Sequence, residues 1–252
     1  MTDDRRRLRA TFDEVAELYE QARPGYPAQL HDDLAELAGL RPRARVLEIG
    51  CGTGQATRDL VRRGYDVTCV ELGANLAAVA RRTVPEAEVI VSSFEDWEPG
   101  HARFDLVFAA TSWHWVDAEV RYAKAAALGD ALAVVATRHV SSGGDDRLFG
   151  ELQEAYVEAG EERMDLPHPD EVPDDRAQIE ATGLFGDVAV RRYVVGHDYS
   201  VDAYVDVLET YSGHRAMEPA ARERLYASIR RTVGDRPVRK HYLFLLHVAR
   251  VA

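Results

Sequence analysis

The residues with the clearest chemical meaning are three closely spaced glycines, Gly50, Gly52 and Gly54, which follow a short apolar segment at 46–49. Glycine lets the backbone turn sharply and approach a ligand with no side chain in between. The helix predicted to follow would direct its unpaired amide groups and its positive dipole end at that ligand. The spacing therefore predicts a ligand-binding turn between a buried strand and a helix.

An acidic residue, Glu71, ends the next predicted strand. A carboxylate at this position can accept hydrogen bonds from both ribose hydroxyls of a nucleoside. The alternative is a solvated glutamate at a strand end. A nicotinamide dinucleotide is the competing ligand, but its pattern is G-x-G-x-x-G, whereas Gly54 is followed by Gln55 and Ala56. The absent glycine and the preceding Glu48 argue against that ligand.

A third chemical segment, 109–117, follows the fourth predicted strand and contains His114. Open α/β sheets bind ligands at the carboxyl ends of their strands. An unperturbed histidine titrates near neutral pH, so His114 is a candidate general base. The alternative is that His114 bonds a backbone group while Trp115 packs in the core.

The segment from Tyr19 to Pro27 supplies a further candidate, because Arg23 can pair with a carboxylate of a cofactor or of an acidic acceptor. Tyr19 and Tyr26 are candidates for the pocket lining, and Tyr211 for a wall on the acceptor side. The alternative is an amphipathic helix with a proline-rich stop. A capping box formed by 11–14 would start that helix.

The glycine run resembles the first motif of the class I S-adenosylmethionine-dependent methyltransferases, E/D-x-G-x-G-x-G, beginning at Glu48. The resemblance implies that the glycines wrap the methionine part of S-adenosylmethionine, that Glu48 lies near its amino group, and that Glu71 binds its ribose. Ser93 stands where many members carry Asp, which is a departure from the family. The implied cofactor site comprises Arg23, Glu48, Gly50, Cys51, Gly52, Gly54, Glu71, Leu72, Ser93, Phe94 and Ala109.

The H-W-x-D sequence that begins at His114, together with the Tyr19 to Pro27 segment, is similar to a branch that includes trans-aconitate methyltransferase-like proteins. In that branch the N-terminal segment folds over the cofactor as part of a lid. The implied acceptor pocket comprises Tyr19, Tyr26, Trp113, His114 and Tyr211.

Short apolar segments alternate with helical patterns up to residue 140, which predicts a parallel sheet with helices on both faces. Later segments favour helices, with strands at 188–195 and 241–251. The expected fold is α/β: a doubly wound, seven-stranded, mostly parallel Rossmann-like sheet with a C-terminal antiparallel hairpin and a helical insertion. Predicted strands are 46–49, 67–70, 89–91, 104–108 and 131–136, and the late helices are 145–159, 175–182, 200–211 and 219–233.

One methyltransferase domain is expected over 1–252. Within it we predict N-terminal lid helices at 1–40 and a cofactor-binding core at 41–140. A helical acceptor-side elaboration at 141–237 includes the strand near 188–195, and a closing strand covers 238–252.

The charge balance, 31 basic against 43 acidic residues, gives a net charge of −12. This argues against a surface that tracks nucleic-acid phosphates. Two cysteines, no apolar leader and no apolar run of transmembrane length indicate a cytoplasmic protein without membrane partners. Arg5, Arg6, Arg7 and Arg9 are expected to form a solvated tail, and no metal-ligand spacing is apparent.

These features predict a methyltransferase that uses S-adenosylmethionine and transfers the methyl group in line to a small molecule, such as a carboxylate or a natural product. Three alternatives stay open: a nucleic-acid methyltransferase, a non-catalytic regulator that binds S-adenosylmethionine, and a nicotinamide oxidoreductase. The pattern specifies neither the acceptor nor an oligomeric state.

Overall fold

A seven-stranded sheet organises the computed structural model, which describes residues 11–142 and 146–252. The order of its strands is β3-β2-β1-β4-β5-β7-β6. Strands β1 to β5 run parallel to one another, and β7 is antiparallel to both of its neighbours. The strands are β1 Arg45–Ile49, β2 Asp66–Glu71, β3 Glu88–Val91, β4 Leu106–Ala110, β5 Ala131–Val140, β6 Ala189–Tyr199 and β7 Val238–Arg250.

The apolar runs form central strands because both of their faces are covered. Val46 and Leu47, neighbours on β1, point to opposite faces and are both fully buried. Val46 belongs to a core that includes Leu30 and Leu60, whereas Leu47 packs in a second core with Phe94. The predicted parallel sheet with helices on both sides is confirmed.

Ten α-helices lie within the described residues, and three short 3-10 turns cover Asp13–Val15, Trp113–Trp115 and Pro169–Glu171. Helices α2, α3 and α4 cover one face of the sheet, and α5 and α7 contribute to the core on the other. The helices are α1 Ala16–Ala22, α2 Ala28–Ala38, α3 Thr57–Arg62, α4 Ala74–Thr83, α5 Ala118–Leu128, α6 Arg147–Glu158, α7 Arg176–Glu180, α8 Val201–Glu209, α9 Ser212–Ala216 and α10 Pro219–Val233.

The C-terminal strands pair antiparallel as predicted, but their connection is long. Between the end of β6 at Tyr199 and the start of β7 at Val238 lie helices α8, α9 and α10. Strand β7 therefore returns between β5 and β6 after a helical excursion, with no tight hairpin turn. Helices α6, α8 and α10 have a small core of their own, formed around Leu152, Leu208, Leu225 and Ile229.

The structure bears differently on three local predictions. The first 3-10 turn has Phe12 at its N-cap position with no side-chain hydrogen bond there, and Glu14 pairs with Arg215; the capping box at 11–14 stays a prediction. Strand β4 begins at Leu106, because Phe104 forms only an isolated bridge to Gly129. The cluster formed by Arg5, Arg6, Arg7 and Arg9 lies outside the described residues, and the domain division stays a prediction.

Within the described residues, no helix combines the length and the apolar composition that crossing a bilayer would require.

Candidate functional site

A cavity of about 500 Å³ opens at the carboxyl ends of β1, β2 and β4. The chain proceeds from β1 outward to β2 and β3, then crosses back to place β4 on the other side of β1. Such a reversal leaves a crevice between the neighbouring strands, which is where open α/β sheets bind ligands. The N-terminal segment and the region after α8 close the cavity from outside, through Tyr19, Arg23 and Tyr211.

The glycine turn forms the floor of this cavity. Gly50, Gly52 and Gly54 all have positive φ angles, of 67°, 58° and 95°, in the left-handed region that favours glycine. A Cβ atom on Gly52 would lie 3.7 Å from the ring of Tyr19, at ordinary van der Waals contact, so its absence leaves the backbone uncovered on the side that faces Tyr19. The turn thus exposes bare backbone to a ligand at Gly50 and Gly52, which both line the cavity.

Gly54 has a different role from the one its place in the motif implied. It does not line the cavity, and a Cβ atom there would lie 2.9 Å from a methyl group of Val84. Its hydrogen atom permits close packing between the turn and the end of α4. Cys51 also points away from the cavity into the core, where a hydrogen bond with the neighbouring Cys69, followed by burial, raises the pKa of its thiol.

Glu71 ends β2 at the cavity wall and is only 6% exposed. Its two carboxylate oxygens accept hydrogen bonds from the backbone amides of Gly52, at 2.9 Å, and Gly73, at 2.8 Å. Each oxygen has a second lone pair, so the carboxylate can still accept hydroxyl groups from a ligand. Glu71 therefore both fixes the glycine turn and faces the cavity.

Glu48 lies behind the cavity surface. Its side chain is 1% exposed, is absent from the cavity lining, and accepts a hydrogen bond of 2.7 Å from the hydroxyl of Thr57. Burial raises the pKa of this carboxyl to about 7, the hydrogen bond from Thr57 lowers it, and the charge of Glu71 adds to the increase. The structure does not bring Glu48 to the ligand space, so direct contact with a cofactor amino group is not supported.

Apolar side chains form the walls beside Glu71. Leu72 is 40% exposed at the rim, and Leu76, Val70 and Phe94 line the interior. Such surfaces suit the two faces of a purine ring. Ser93, predicted for this region, instead donates to the carboxylate of Asp96 at 2.7 Å and does not reach the cavity lining.

The segment after β4 places its two tryptophans oppositely to the prediction. Trp113 is buried, packs on Tyr122 with ring centroids 5.4 Å apart, and does not line the cavity. Trp115 lines the cavity beside the exposed His114, with ring centroids 4.8 Å apart. The short 3-10 turn at 113–115 rotates successive side chains to different sides, which reverses the expected roles.

A chain of hydroxyl groups lies behind the same segment. Tyr26, which is not in the lining, hydrogen-bonds Thr111 at 3.0 Å, and Thr111 hydrogen-bonds Thr137 at 2.8 Å. Thr111 has a φ of 60°, uncommon for a β-branched residue, and it lines the cavity. Tyr26 thus supports the cavity through Thr111. Ala109 is likewise buried, and its neighbour Ala110 takes the place in the lining.

Residues distant in sequence close the outer side. Arg23 donates from Nε to the hydroxyl of Thr210 at 2.7 Å and from Nη2 to its carbonyl at 2.9 Å. Its guanidinium lies 5.0 Å from the ring centroid of Tyr19 and 4.3 Å from that of Tyr211. This clasp joins the N-terminal segment to the end of α8 and brings all three predicted residues to the cavity.

Comparison with known proteins agrees with this architecture. The family model for a methyltransferase domain matches residues 46–134. Uncharacterised methyltransferases of Mycobacterium bovis and Mycobacterium tuberculosis are 30% identical over 210 residues, which cover 82% of this chain and 84% of theirs. The chain belongs to the S-adenosylmethionine-dependent methyltransferases.

Two further similarities of this methyltransferase cover different extents. A trans-aconitate 2-methyltransferase of Delftia acidovorans is 34% identical over 89 residues, which cover 32% of this chain and 33% of the relative. A structure assigned as a type II methyltransferase from Anaeromyxobacter dehalogenans superposes with a TM-score of 0.63 at 22% identity. That superposition covers 90% of this chain and 97% of the other, and it supports the fold.

The residues of the cavity fit S-adenosylmethionine, the cofactor of the family. Gly52 leaves uncovered backbone, Glu71 offers a carboxylate, and Leu72 presents an exposed apolar surface within the same cavity. An apolar surface with a few placed polar groups suits a nucleoside with a polar tail. No three His, Cys, Asp or Glu side chains among residues 11–142 and 146–252 come together at a site that could hold a metal ion.

Several residues of the cavity have no counterpart among the sequence predictions. Asp13 is the clearest example: its carboxylate accepts from the amides of Asn75, at 2.8 Å, and Leu76, at 2.9 Å, at the start of α4. A helix start without its own capping side chain at Gly73 was a signal that a distant residue must serve it. The others are Phe12, Ile49, Val70, Gly73, Leu76, Ala110, Thr111, Ser112, Trp115, Val116, Thr137, Arg138 and Ser212.

Proposed function

We propose that the cavity binds S-adenosylmethionine against Gly50, Gly52 and Glu71 and transfers its methyl group to a small-molecule acceptor. The observation that carries this proposal is the joint placement of bare glycine backbone and a carboxylate in one cavity of about 500 Å³. That volume lies in the range of cofactor and substrate clefts. We further propose a cytoplasmic enzyme, which is consistent with its two buried, free cysteines.

The protein's contribution to the reaction is binding and alignment. When bound, the cofactor supplies a methyl group that is activated by a positively charged sulfur. Glu71 would accept the ribose hydroxyls, while Leu72 and Phe94 would flank the adenine. The open backbone at Gly52 would accommodate the methionine end. Positioning the two reactants in line and excluding water provide most of the rate enhancement that such a transfer needs.

The acceptor would lie beside the N-terminal segment and the end of α8. The clasp between Arg23 and Thr210 narrows this side, and the rings of Tyr19 and Tyr211 stack on the same guanidinium. An enclosed wall of this kind favours a small molecule over a polymer. The net charge of −12 also disfavours a nucleic-acid acceptor.

Two cations lie toward this end of the cavity, Arg23 and Arg138. Within the described residues neither forms an ion pair with a carboxylate, and Arg138 donates only to the carbonyl of Thr137. A small molecule that carries a carboxylate or another anionic group would complement them. The Delftia relative is named for trans-aconitate, which is consistent with such an acceptor.

His114 would help to place the acceptor. It is exposed, lines the cavity and packs at a tilt against Trp115, which in turn packs edge-on against Phe12 with ring centroids 5.6 Å apart. Its position at the end of β4 is suitable for contact with the acceptor, and a histidine is a residue type that can serve as a general base.

Calorimetric titration with S-adenosylhomocysteine and with NAD tests the cofactor assignment. We expect tight binding of the first and none of the second; the reverse would identify a dinucleotide enzyme. A screen with radiolabelled S-adenosylmethionine against carboxylates, phenols, amines, thiols and oligonucleotides then tests the activity. Product formation with a small molecule supports the proposal. Binding without turnover in any class would indicate a regulator, and turnover of oligonucleotides alone would contradict the small-molecule assignment.

A further inference from the structure

A buried lysine lies behind the acceptor wall, and within the described part of the chain it has no acidic partner. Lys240, on β7, is 4% exposed, and its ammonium lies 5.0 Å from the ring centroid of Tyr211 and 5.4 Å from that of Tyr242. A third ring, that of Tyr204, is 5.9 Å away. No carboxylate among the described residues forms an ion pair with Lys240. A buried ammonium is costly unless an anion or a strong acceptor compensates it.

Tyr211 is the side chain that two cations share. The guanidinium of Arg23 lies 4.3 Å from its ring centroid and Lys240 lies 5.0 Å from it. Arg23 donates hydrogen bonds from Nε and Nη2 to Thr210, and these bonds hold its guanidinium over the ring of Tyr211. Tyr211 also lines the main cavity, so one residue contacts both the buried charge and the space proposed for the acceptor.

No carboxylate of residues 11–142 or 146–252 forms an ion pair with these cations at Tyr211. Glu209, two positions earlier, pairs instead with Arg215, at 3.5 Å, and Arg222, at 3.4 Å. The environment of Tyr211 is therefore positive. The titratable and charged groups that surround it are Tyr19 and Arg23 from α1, Tyr156 from α6, Tyr199 from β6, Tyr204 from α8, His214 from α9, and Lys240 and Tyr242 from β7.

The balance of these effects differs from that at the other buried tyrosines. Burial raises the pKa of Tyr211, but the charges of Lys240 and Arg23, with hydrogen bonding to Lys240 and Tyr242, outweigh burial and leave the pKa below its ordinary value. At Tyr204 and Tyr242 burial dominates, and their pKa values are raised. Tyr211 is the member of this cluster best suited to carry a negative charge.

We propose that Tyr211 accepts the proton of the methyl acceptor and that Lys240 and Arg23 stabilise its phenolate form. The inference rests on the proposed function and adds a catalytic residue to it. It also selects an acceptor class: molecules that must lose a proton to react, such as phenols, enols, thiols or ammonium groups. A carboxylate acceptor is already nucleophilic at neutral pH and would need no such base.

The acceptor atom would give its proton to the phenolate oxygen of Tyr211, form a bond to the methyl carbon and displace the sulfur, which would keep the electron pair of the broken bond. Tyr211 would then release the proton to solvent. General-base assistance of this kind contributes about 10²–10⁴-fold to a rate.

The ultraviolet absorbance of tyrosinate during a pH titration tests the inference without an acceptor. We expect one tyrosine of the wild-type protein to ionise well below the others. Tyr211→Phe, which keeps the ring, should abolish that early phase. Tyr65→Phe is the matched control, because it removes a tyrosine outside the cavity whose pKa is raised by burial, and it should leave the early phase intact. An early phase that persists in Tyr211→Phe, or its absence from the wild type, would overturn the inference.

Lys240 provides a second test. Lys240→Met should move the early phase upward by about 1–3 pH units, the effect of one opposite charge at this range, while Lys240→Arg should preserve it. Circular dichroism shows whether each variant is folded; if Lys240→Met is not, the comparison of Tyr211→Phe with Tyr65→Phe decides alone. An unchanged phase in folded Lys240→Met would refute the role of Lys240.

Binding and kinetic measurements separate this inference from the proposed function. If the wild type does not bind S-adenosylhomocysteine, the proposed function is refuted, whatever the tyrosinate titration shows. If it binds S-adenosylhomocysteine but shows no early tyrosinate phase, only the role of Tyr211 is refuted. With an acceptor found in the screen, Tyr211→Phe should lower kcat by about 10²–10⁴-fold at neutral pH and leave the affinity for S-adenosylhomocysteine unchanged.

Discussion

Replacing Glu71 by glutamine probes the cofactor site with the least change in shape. The carboxylate accepts from the amides of Gly52 and Gly73, one at each oxygen. In Glu71→Gln, one oxygen becomes an NH₂ group, which can only donate. One of the two backbone amides then faces a donor, and the side chain loses the charge that we propose interacts with the ribose hydroxyls.

The magnitude follows from the number of hydrogen bonds affected. A hydrogen bond to a charged group contributes about 1.5–3 kcal/mol, and 1.4 kcal/mol corresponds to a factor of ten in affinity. Loss of one such bond to the ribose should weaken S-adenosylhomocysteine binding by about 10–150-fold. Because Glu71 is 6% exposed, the amide left without an acceptor should also lower the free energy of unfolding by about 1–3 kcal/mol.

Isothermal titration calorimetry measures the affinity, and urea denaturation measures the stability. Glu88→Gln is the control, because it removes the same charge from an exposed position on the neighbouring strand β3. We expect Glu88→Gln to keep both the affinity for S-adenosylhomocysteine and the stability of the wild type. If Glu71→Gln lowers stability but binds S-adenosylhomocysteine as the wild type does, then Glu71 only fixes the glycine turn and the assignment to the ribose is refuted.

The remaining predictions concern three other parts of the site. His114→Ala should lower turnover with an identified acceptor and leave S-adenosylhomocysteine binding intact by calorimetry; unchanged turnover would make His114 a bystander. Gly52→Ala should fold with a loss of about 1–2 kcal/mol from its left-handed backbone but bind the cofactor poorly, whereas Gly54→Ala, whose Cβ would meet Val84 at 2.9 Å, should lose more stability in urea. The raised pKa of Glu48, about 7, means that the folded state binds its proton more tightly than the unfolded chain does, so Glu48 should destabilise the protein as pH rises from about 4.5 to 7. Glu48→Gln should therefore lose up to about 3 kcal/mol less unfolding free energy than the wild type between pH 5 and pH 8, as measured by urea denaturation. An equal loss in both proteins would contradict the raised pKa of Glu48.

The central sheet could be predicted because its signal is local. Strands such as β1 and β4 are continuous apolar runs that must be buried on both faces, and the glycines mark where the first of them turns. The placement of β7 between β5 and β6 depends on pairings across the chain. Periodicity carries no information about such partners, although it did predict helices at 200–211 and 219–233, between the last two strands, where the structure has α8 and α10.

The site was predictable to the extent that a motif fixes a backbone position. Gly50, Gly52 and Glu71 line the cavity as expected, because the strand ends determine where they lie. Glu48 matched the motif equally well, yet its side chain bonds Thr57 in the core. Motif identity specifies the residue type but does not determine the layer in which the side chain is buried.

Contacts between distant segments could not be predicted from the sequence, for another reason. Arg23 and Thr210 are 187 residues apart, and the hydrogen bonds that join them form only in the folded chain. The predicted roles of Trp113 and Trp115 were reversed for a local reason, because a single 3-10 turn determines which of the two rings faces the cavity. A sequence with two tryptophans around one histidine does not distinguish these arrangements.

A crystal structure of the complex with S-adenosylhomocysteine tests the central claim most directly. We predict the nucleoside at the carboxyl ends of β1 and β2, with its ribose hydroxyls on the Glu71 carboxylate and its amino-acid end over the backbone of Gly52. A nucleoside bound elsewhere on the protein, or a glycine turn that does not contact it, would contradict the account.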